Sequence, residues 1–214
     1  MTWEHALVIL SGLPWTLAVT GLSLAIGMVL GLPLMFARNS SNTLISSTMI
    51  MFIALVRAVP PIVWLFIVFF GMGNGFTRIS PFIAAVLVFG LIATTNMAEI
   101  YRGGMLAIHA GQHEATTALN FGKYHAFIDV VLPQMLRVAL PAATTYAIGL
   151  LKDSAVASTI GVLELAYQGR YVTETTYMGL PVFATVGAIY IVVSIPIAIF
   201  ARYADARMRK RVAR

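Results

Sequence analysis

Five apolar segments, near residues 13–37, 44–72, 81–98, 136–151 and 181–201, constrain this chain more than any other feature. A helix needs roughly 20 mostly apolar residues to cross a bilayer. These runs are of that order, and tilt accommodates the shorter and longer ones. Composition agrees. Only 10% of the 214 residues are charged and 59% are hydrophobic, against about 25% charged in soluble domains, and the mean hydropathy is +0.88. The expectation is an all-α membrane protein of about five transmembrane helices. Residues 1–214 then form a single transmembrane domain, with no room for a separate soluble catalytic domain.

Charge placement sets the expected orientation. Six of the fourteen basic residues follow residue 201: Arg202, Arg207, Arg209, Lys210, Arg211 and Arg214. A basic tail beside a span marks the cytoplasmic side, and so short a tail directly after a membrane segment argues against nucleic-acid binding. With the C-terminus inside and five spans, the N-terminus is outside. Arg38, Arg102, Lys123 and Arg137 then join the six tail residues inside, while Arg78 and Arg170 lie outside and Arg57 and Lys152 are ambiguous. The start, MTWEHALVIL, lacks a basic n-region and reads as the lead-in to a retained span, not a cleaved signal peptide. The absence of cysteine excludes disulfides, thiolate metal sites and a thiol nucleophile.

The second segment contains Arg57 and Pro60-Pro61. Proline removes a backbone donor and breaks a helix, so two pieces are expected, 44–57 and 61 onward. Arg57 either snorkels to an interface or faces a pathway or partner; a charge near the bilayer centre costs roughly 2.5–3.5 kcal/mol. Gly27-x-x-x-Gly31 in the first segment gives a small face for close helix approach, read as packing within the chain.

One stretch is out of character. Residues 99–135 are polar, and GQHEATTALNFG, 111–122, reads as a helix. Ala115, Ala118, Leu119 and Gly122 recur at i, i+3, i+4 and i+7, one helical face. That face is small and shallow, suited to another protein's groove. Glu114 is expected early in the helix, where its charge suits the dipole. Asn120 and Gly122 both tolerate the left-handed backbone that ends helices. Pro133 is expected to open the next span.

The same stretch carries a motif. Glu114-Ala115-Thr116, then Asn120, then Val130-Val131-Leu132-Pro133 resembles the EAA loop of ABC importer permeases: Glu-Ala-Ala, three residues, Gly, nine residues, Ile-x-Leu-Pro. The spacing matches in full. Thr116 replaces the second Ala and Asn120 replaces the Gly; Asn is the next-best residue for a left-handed backbone, so the turn is expected to survive. Further segments resemble the polar amino-acid type of permease: Gly111-Gln112 before the Glu, Ala98-Glu99-Ile100-Tyr101-Arg102-Gly103-Gly104, Leu132-Pro133-Gln134 with Arg137 and Pro141, Lys152-Asp153-Ser154-Ala155-Val156 with Ile160-Gly161-Val162, and Arg57-Ala58-Val59-Pro60. The resemblance covers nearly the whole chain.

That resemblance implies a type I ABC importer permease fold in the bacterial inner membrane. It implies a second permease subunit, identical or homologous, a cytoplasmic ABC ATPase dimer and an extracytoplasmic amino-acid-binding protein. The 99–135 loop would be the coupling loop, with Glu114, Ala115, Ala118, Leu119 and Asn120 as the ATPase-docking surface. ATP and Mg would be bound by the partner ATPase, with no cofactor in this chain, which has no G-x-x-x-x-G-K-[ST] phosphate loop. No residue is expected to be catalytic.

Pathway candidates are Arg57, Asn96, Lys152 and Asp153. Intramembrane ionisable groups face a cavity or pair with one another. Lys152 and Asp153 could therefore receive the two charges of an amino acid, or could fix the turn after the fourth span. The outer loop 153–180 is net −2, from Asp153, Glu164 and Glu174 against Arg170, and carries no expectation. A self-contained secondary transporter or channel is the alternative function, but its paired broken helices are missing: the Pro-Pro break has no counterpart. His109 and His113, spaced i, i+4, with His125 could hold a metal, yet the H-E-x-x-H arrangement is absent and solvated histidines are expected. Ser154 and Lys152 are i, i+2 and do not face each other on a helix, so no Ser/Lys dyad is read there.

Overall fold

A computed structural model of the chain describes residues 2–73 and 79–210. Every regular element among them is helical. Helices α1 (Trp3–Leu10) and α2 (Leu13–Arg38) form a nearly continuous rod. They are followed by α3 (Thr43–Ala58), α4 (Pro61–Gly73) and α5 (Pro81–Leu106). Next come the short α6 (Ala110–Ala118) and α7 (Lys123–His125), a π-helical segment Ala126–Val131, and α8 (Leu132–Asp153). A 3₁₀ segment Ser154–Ile160, α9 (Leu165–Thr176) and α10 (Gly179–Lys210) complete the chain.

Four stretches among the described residues are long and apolar enough to cross a membrane: Trp3–Arg38, Pro81–Leu106, Lys123–Ile160 and Gly179–Phe200. The second segment is broken as its prolines require. Thr43–Ala58 and Pro61–Gly71 meet at 96°, and taken as one span they bring the total to five. The bend is held by Trp64, whose indole Nε1 donates to the Val56 carbonyl at 3.1 Å. Helix starts follow local chemistry. Asn42 accepts from the Leu44 and Ile45 N–H groups at the head of α3, and Ser80 caps α5 with Pro81 in its first turn; both satisfy donors that have no partner inside a helix.

The centre is the α2–α5 pair. A Cβ on Gly27 would stand 2.6 Å from the Ala93 Cβ, and one on Gly31 2.7 Å from the Met97 Cβ. The two glycines therefore let α2 lie directly on α5, as intramolecular packing. Val19, Val88, Phe89, Ala93 and Leu150 fill the core toward one end, and Met35, Met97, Tyr101 and Met135 fill it toward the other. A third cluster, Ile9, Leu165, Val172, Val182 and Val186, joins α1, α9 and α10.

The span boundaries depart from the hydropathy reading where a helix continues past its apolar part. α5 runs on through Glu99 and Arg102 to Leu106, and α10 through the basic tail to Lys210. Charged residues end an apolar run in the sequence without ending a helix. Residues 153–180 are a folded unit, not a plain loop. Several basic residues gather near α6: Arg38 and Arg102 meet at Glu99, Lys123 opens α7 and Arg137 lies in the second turn of α8, while Arg170 lies on α9. Arg78, Arg211 and Arg214 lie outside the described residues.

Candidate functional site

At one end of the bundle, α6 stands out from the spans. His109 caps it, its Nδ1 accepting from the Gly111 N–H at 3.1 Å. Thr116 is the buried residue of this helix and turns toward the bundle. Glu114, Ala115, Ala118, Leu119 and Asn120 are all exposed, Leu119 at 71%. The helix ends in a complete Schellman arrangement: the Phe121 N–H reaches the Thr116 carbonyl at 2.9 Å, the Asn120 N–H reaches Thr117 at 3.0 Å, and Asn120 has φ +54°. Asparagine thus occupies the one left-handed position of the turn, where the permease motif has glycine.

Two details differ from the sequence expectation. Glu114 is the fifth residue of α6, not in its first turn, so the dipole gives it no special favour. Gly122 has φ −62° and ψ +148° and caps α7, so it leaves the face formed by Ala115 and Ala118. The helix stops a turn earlier than the i, i+7 pattern suggests, because Asn120 already reverses the backbone. Pro133 does lie in the first turn of α8, but that helix is entered from the π segment and not from a loop.

Side-chain contacts fix this end to the spans. Gln134 on α8 donates to the Gln112 side chain at 3.1 Å and to the Val130 carbonyl at 2.9 Å. Phe127 meets Phe36 of α2 edge-on, with ring centres 5.0 Å apart. Glu99 bridges Arg38, at 2.6 Å, and Arg102, at 3.0 Å, joining the ends of α2 and α5. The 2.6 Å contact is an ion pair without good hydrogen-bond alignment.

A second polar group lies at the end of α3, on α5 and at the end of α8. Arg57 is exposed in the last turn of α3, against the 96° bend. Asn96 is half-buried on α5 and donates to the Ile92 carbonyl at 2.8 Å. Lys152 and Asp153 close α8, both exposed. The fold gathers Arg57, Asn96 and Asp153 around Tyr146, within electrostatic range of its hydroxyl. That hydroxyl is buried and has no well-aligned partner, although the Asn96 side chain, which gives one of its two amide hydrogens to the Ile92 carbonyl, lies beside it. Lys152 instead lines a cavity of about 670 Å³ between α8 and α10, with Ile148, Tyr190, Ile191 and Ser194.

Sequence reasoning missed Tyr146, Tyr190 and Glu164. Glu164 caps α9 and is fully buried. Its Oε1 accepts from the Tyr167 N–H at 2.7 Å, and its Oε2 accepts from the Tyr190 hydroxyl at 2.7 Å. The histidines take ordinary roles: His109 caps, and His125 pairs with Asp129 at 3.2 Å. Among the described residues no cluster of three or more metal-binding side chains occurs.

Comparison with known proteins fits this architecture. Residues 23–210 match the family described as binding-protein-dependent transport system inner membrane component. The glutamine transport system permease protein GlnP of Escherichia coli (strain K12) is 31% identical over 209 residues, covering 97% of this chain and 95% of that protein. The L-cystine transport system permease protein TcyL of Bacillus subtilis (strain 168) is 32% identical, covering 94% and 87%. A solved amino acid ABC transporter with histidines superposes with a TM-score of 0.88 at 29% identity, covering 95% of both chains. The chain therefore belongs to the polar amino-acid-type family of ABC transporter permeases, as a multi-pass, non-catalytic inner-membrane subunit of a transport system that also needs an ATPase and a binding protein.

Proposed function

We propose that this chain moves a polar amino acid, or a close derivative, inward across the membrane, paired with a second permease subunit and driven by an ATPase dimer docked on residues 99–135. All 214 residues act as one transmembrane domain. The N-terminus is outside and the C-terminus cytoplasmic, in keeping with the collection of basic residues at the α6 end. ATP and Mg²⁺ are held by the ATPase, and an extracytoplasmic binding protein delivers the solute.

The observation that carries this reading is α6 itself. It is a helix capped at both ends that turns one buried threonine inward and offers a small, exposed face made of Glu114, Ala115, Ala118, Leu119 and Asn120. Coupling two sites requires an element whose position differs between two global states. A helix clamped in an ATPase groove and tied to α8 through Gln112 and Gln134 meets that need. The solute path runs past Arg57, Asn96, Lys152 and Asp153. A cation and an anion close together complement a zwitterion, and glutamine and cystine, the cargoes named for two relatives, are zwitterions.

The test is purification of tagged chain in nanodiscs with its partners identified by mass spectrometry. An ATPase subunit is expected with wild type and is expected to be lost in Glu114→Lys with Ala118→Trp. If no ATPase accompanies the wild type and the chain alone moves L-glutamine or L-cystine in liposomes, the reading is wrong.

A further inference from the structure

Glu164 is buried to 0% exposure, and no ion pair reaches it among the described residues. Acidic side chains are almost never fully buried unless paired, because an unbonded buried charge or polar group is costly. Its role as helix cap does not account for its identity. Asp, Asn or Ser caps a helix at least as well and needs less room. The extra length of Glu is used by its second oxygen. While Oε1 accepts from the Tyr167 N–H, Oε2 extends to the Tyr190 hydroxyl at 2.7 Å, with the Thr16 hydroxyl at 3.5 Å.

Each partner belongs to a different wall. Thr16 is on α2, and its hydroxyl accepts from the Leu165 N–H at 3.1 Å. A Cβ on Gly12, just before α2, would stand 2.6 Å from the Glu164 backbone carbonyl carbon, so α2 begins in direct contact with residue 164. A Cβ on Gly169 would stand 2.6 Å from the Val186 Cγ2, so α9 lies equally close on α10. Glu164 therefore sits where α2, α9 and α10 are locked together. From that frame it holds Tyr190, whose ring is one wall of the cavity that Lys152 faces from α8.

We propose that Glu164 is a positioning residue for transport, whose carboxyl group anchors the Tyr190 ring as a fixed wall of the α8–α10 cavity through which the solute passes. The inference rests on the reading that the cavity beside Lys152 belongs to the solute path. A wall held from behind keeps its place while α8 moves against it, and misplacing a binding group by about 1 Å can cost two orders of magnitude in rate. Glu164 acts after the binding protein has surrendered its cargo. Losing it should therefore lower the amount of solute moved per ATP and leave the concentration for half-maximal uptake unchanged.

The experiment uses the complete transporter, with its ATPase and binding protein, in proteoliposomes. Uptake of radiolabelled L-glutamine and L-cystine is measured beside ATP hydrolysis stimulated by the loaded binding protein. Glu164→Ala and the milder Tyr190→Phe are expected to keep the ATPase bound and active, while solute moved per ATP falls about tenfold or more. Glu164→Gln keeps an acceptor for the tyrosine and is expected to restore the ratio. An unchanged ratio in both Glu164→Ala and Tyr190→Phe overturns the inference, as does a parallel loss of hydrolysis and uptake in Tyr190→Phe or a Gln variant as poor as Ala. If wild type hydrolyses ATP but moves neither solute, it is the cargo reading that fails. If Lys152→Ala leaves uptake intact, the cavity's place on the path fails.

Discussion

Gln134 on α8 donates its side-chain amide to the side-chain carbonyl of Gln112 on α6 at 3.1 Å, tying the exposed short helix directly to a span. The bond lies near the surface and contributes about 1 kcal/mol or less to stability. In the proposed coupling role its worth lies in stiffness, because a push on α6 would reach α8 through it as well as through the π-helical segment. Gln112→Ala and Gln134→Leu are each expected to leave the melting temperature and ATPase co-purification nearly unchanged. Each should lower ATP-driven uptake about fivefold, the lower end of ordinary coupling. A double-mutant cycle on uptake checks this, and the double variant should fall little further than either single one.

Gly27 and Gly31 set the distance between α2 and α5. Gly27→Ala and Gly31→Ala would force their new methyl groups against Ala93 and Met97 at 2.6 and 2.7 Å. Overpacking of this kind costs about 1–3 kcal/mol, so the detergent-solubilised protein should melt several degrees lower. Gly21 is the internal control. Nothing lies within 4 Å of its Cβ position, and Gly21→Ala should be neutral or slightly stabilising. Equal melting temperatures for all three variants would refute the close-packing account.

Asn120 occupies the left-handed position that ends α6, with φ +54°. Asn120→Gly fits this backbone without strain. Asn120→Val does not, since a left-handed backbone costs an ordinary residue about 1–2 kcal/mol and β-branched residues fare worst there. The glycine variant is expected to bind the ATPase as wild type does. In the valine variant the last turn of α6 reshapes, Leu119 moves, and ATPase recovery in co-purification should fall several-fold.

How much of this was legible in the sequence depended on the range of the forces. The break at Pro60-Pro61 and the turn at Asn120 are each decided within a few residues, and proline chemistry and the tolerance of asparagine for a left-handed backbone reveal them. The close face of Gly27 and Gly31 was equally readable, because small residues spaced four apart have one obvious use. Glu164 was not. It lies in a polar segment of net −2, where a carboxylate ordinarily meets water. Its burial is imposed by Thr16, 148 residues away in sequence, and by Tyr190 on another helix. Tyr146 was hidden for a similar reason. A tyrosine in an apolar run reads as filling, and its neighbourhood with Arg57 and Asp153 exists only once α3, α5 and α8 are packed. What the i, i+7 pattern over-extended was the exposed face, which it carried on to Gly122, past the turn at Asn120.

The protonation of Glu164 makes stability depend on pH in a sign opposite to that of a surface carboxylate. Burial pushes its carboxyl group above the ordinary value of 4.5, while hydrogen bonds from Ala166, Tyr190, Tyr167 and Thr16 work against the shift without cancelling it. The folded state therefore holds this proton more tightly than the unfolded state does. The resulting stability is fully present below about pH 4.5 and is lost as pH rises through the folded value. The groups that face the carboxyl group from α2, α9 and α10 are Thr16, the Ala166 and Tyr167 N–H groups and the Tyr190 hydroxyl. Glu164→Gln keeps the shape and cannot ionise. The difference in melting temperature between wild type and Glu164→Gln, measured in detergent from about pH 4 upward to pH 8, removes the contributions of His5, His109, His113 and His125, which both proteins share. Wild type is expected to lose stability relative to the glutamine variant as pH rises across that interval. A flat difference, or one of the opposite slope, would mean that Glu164 is held as a charge by the hydrogen bonds around it.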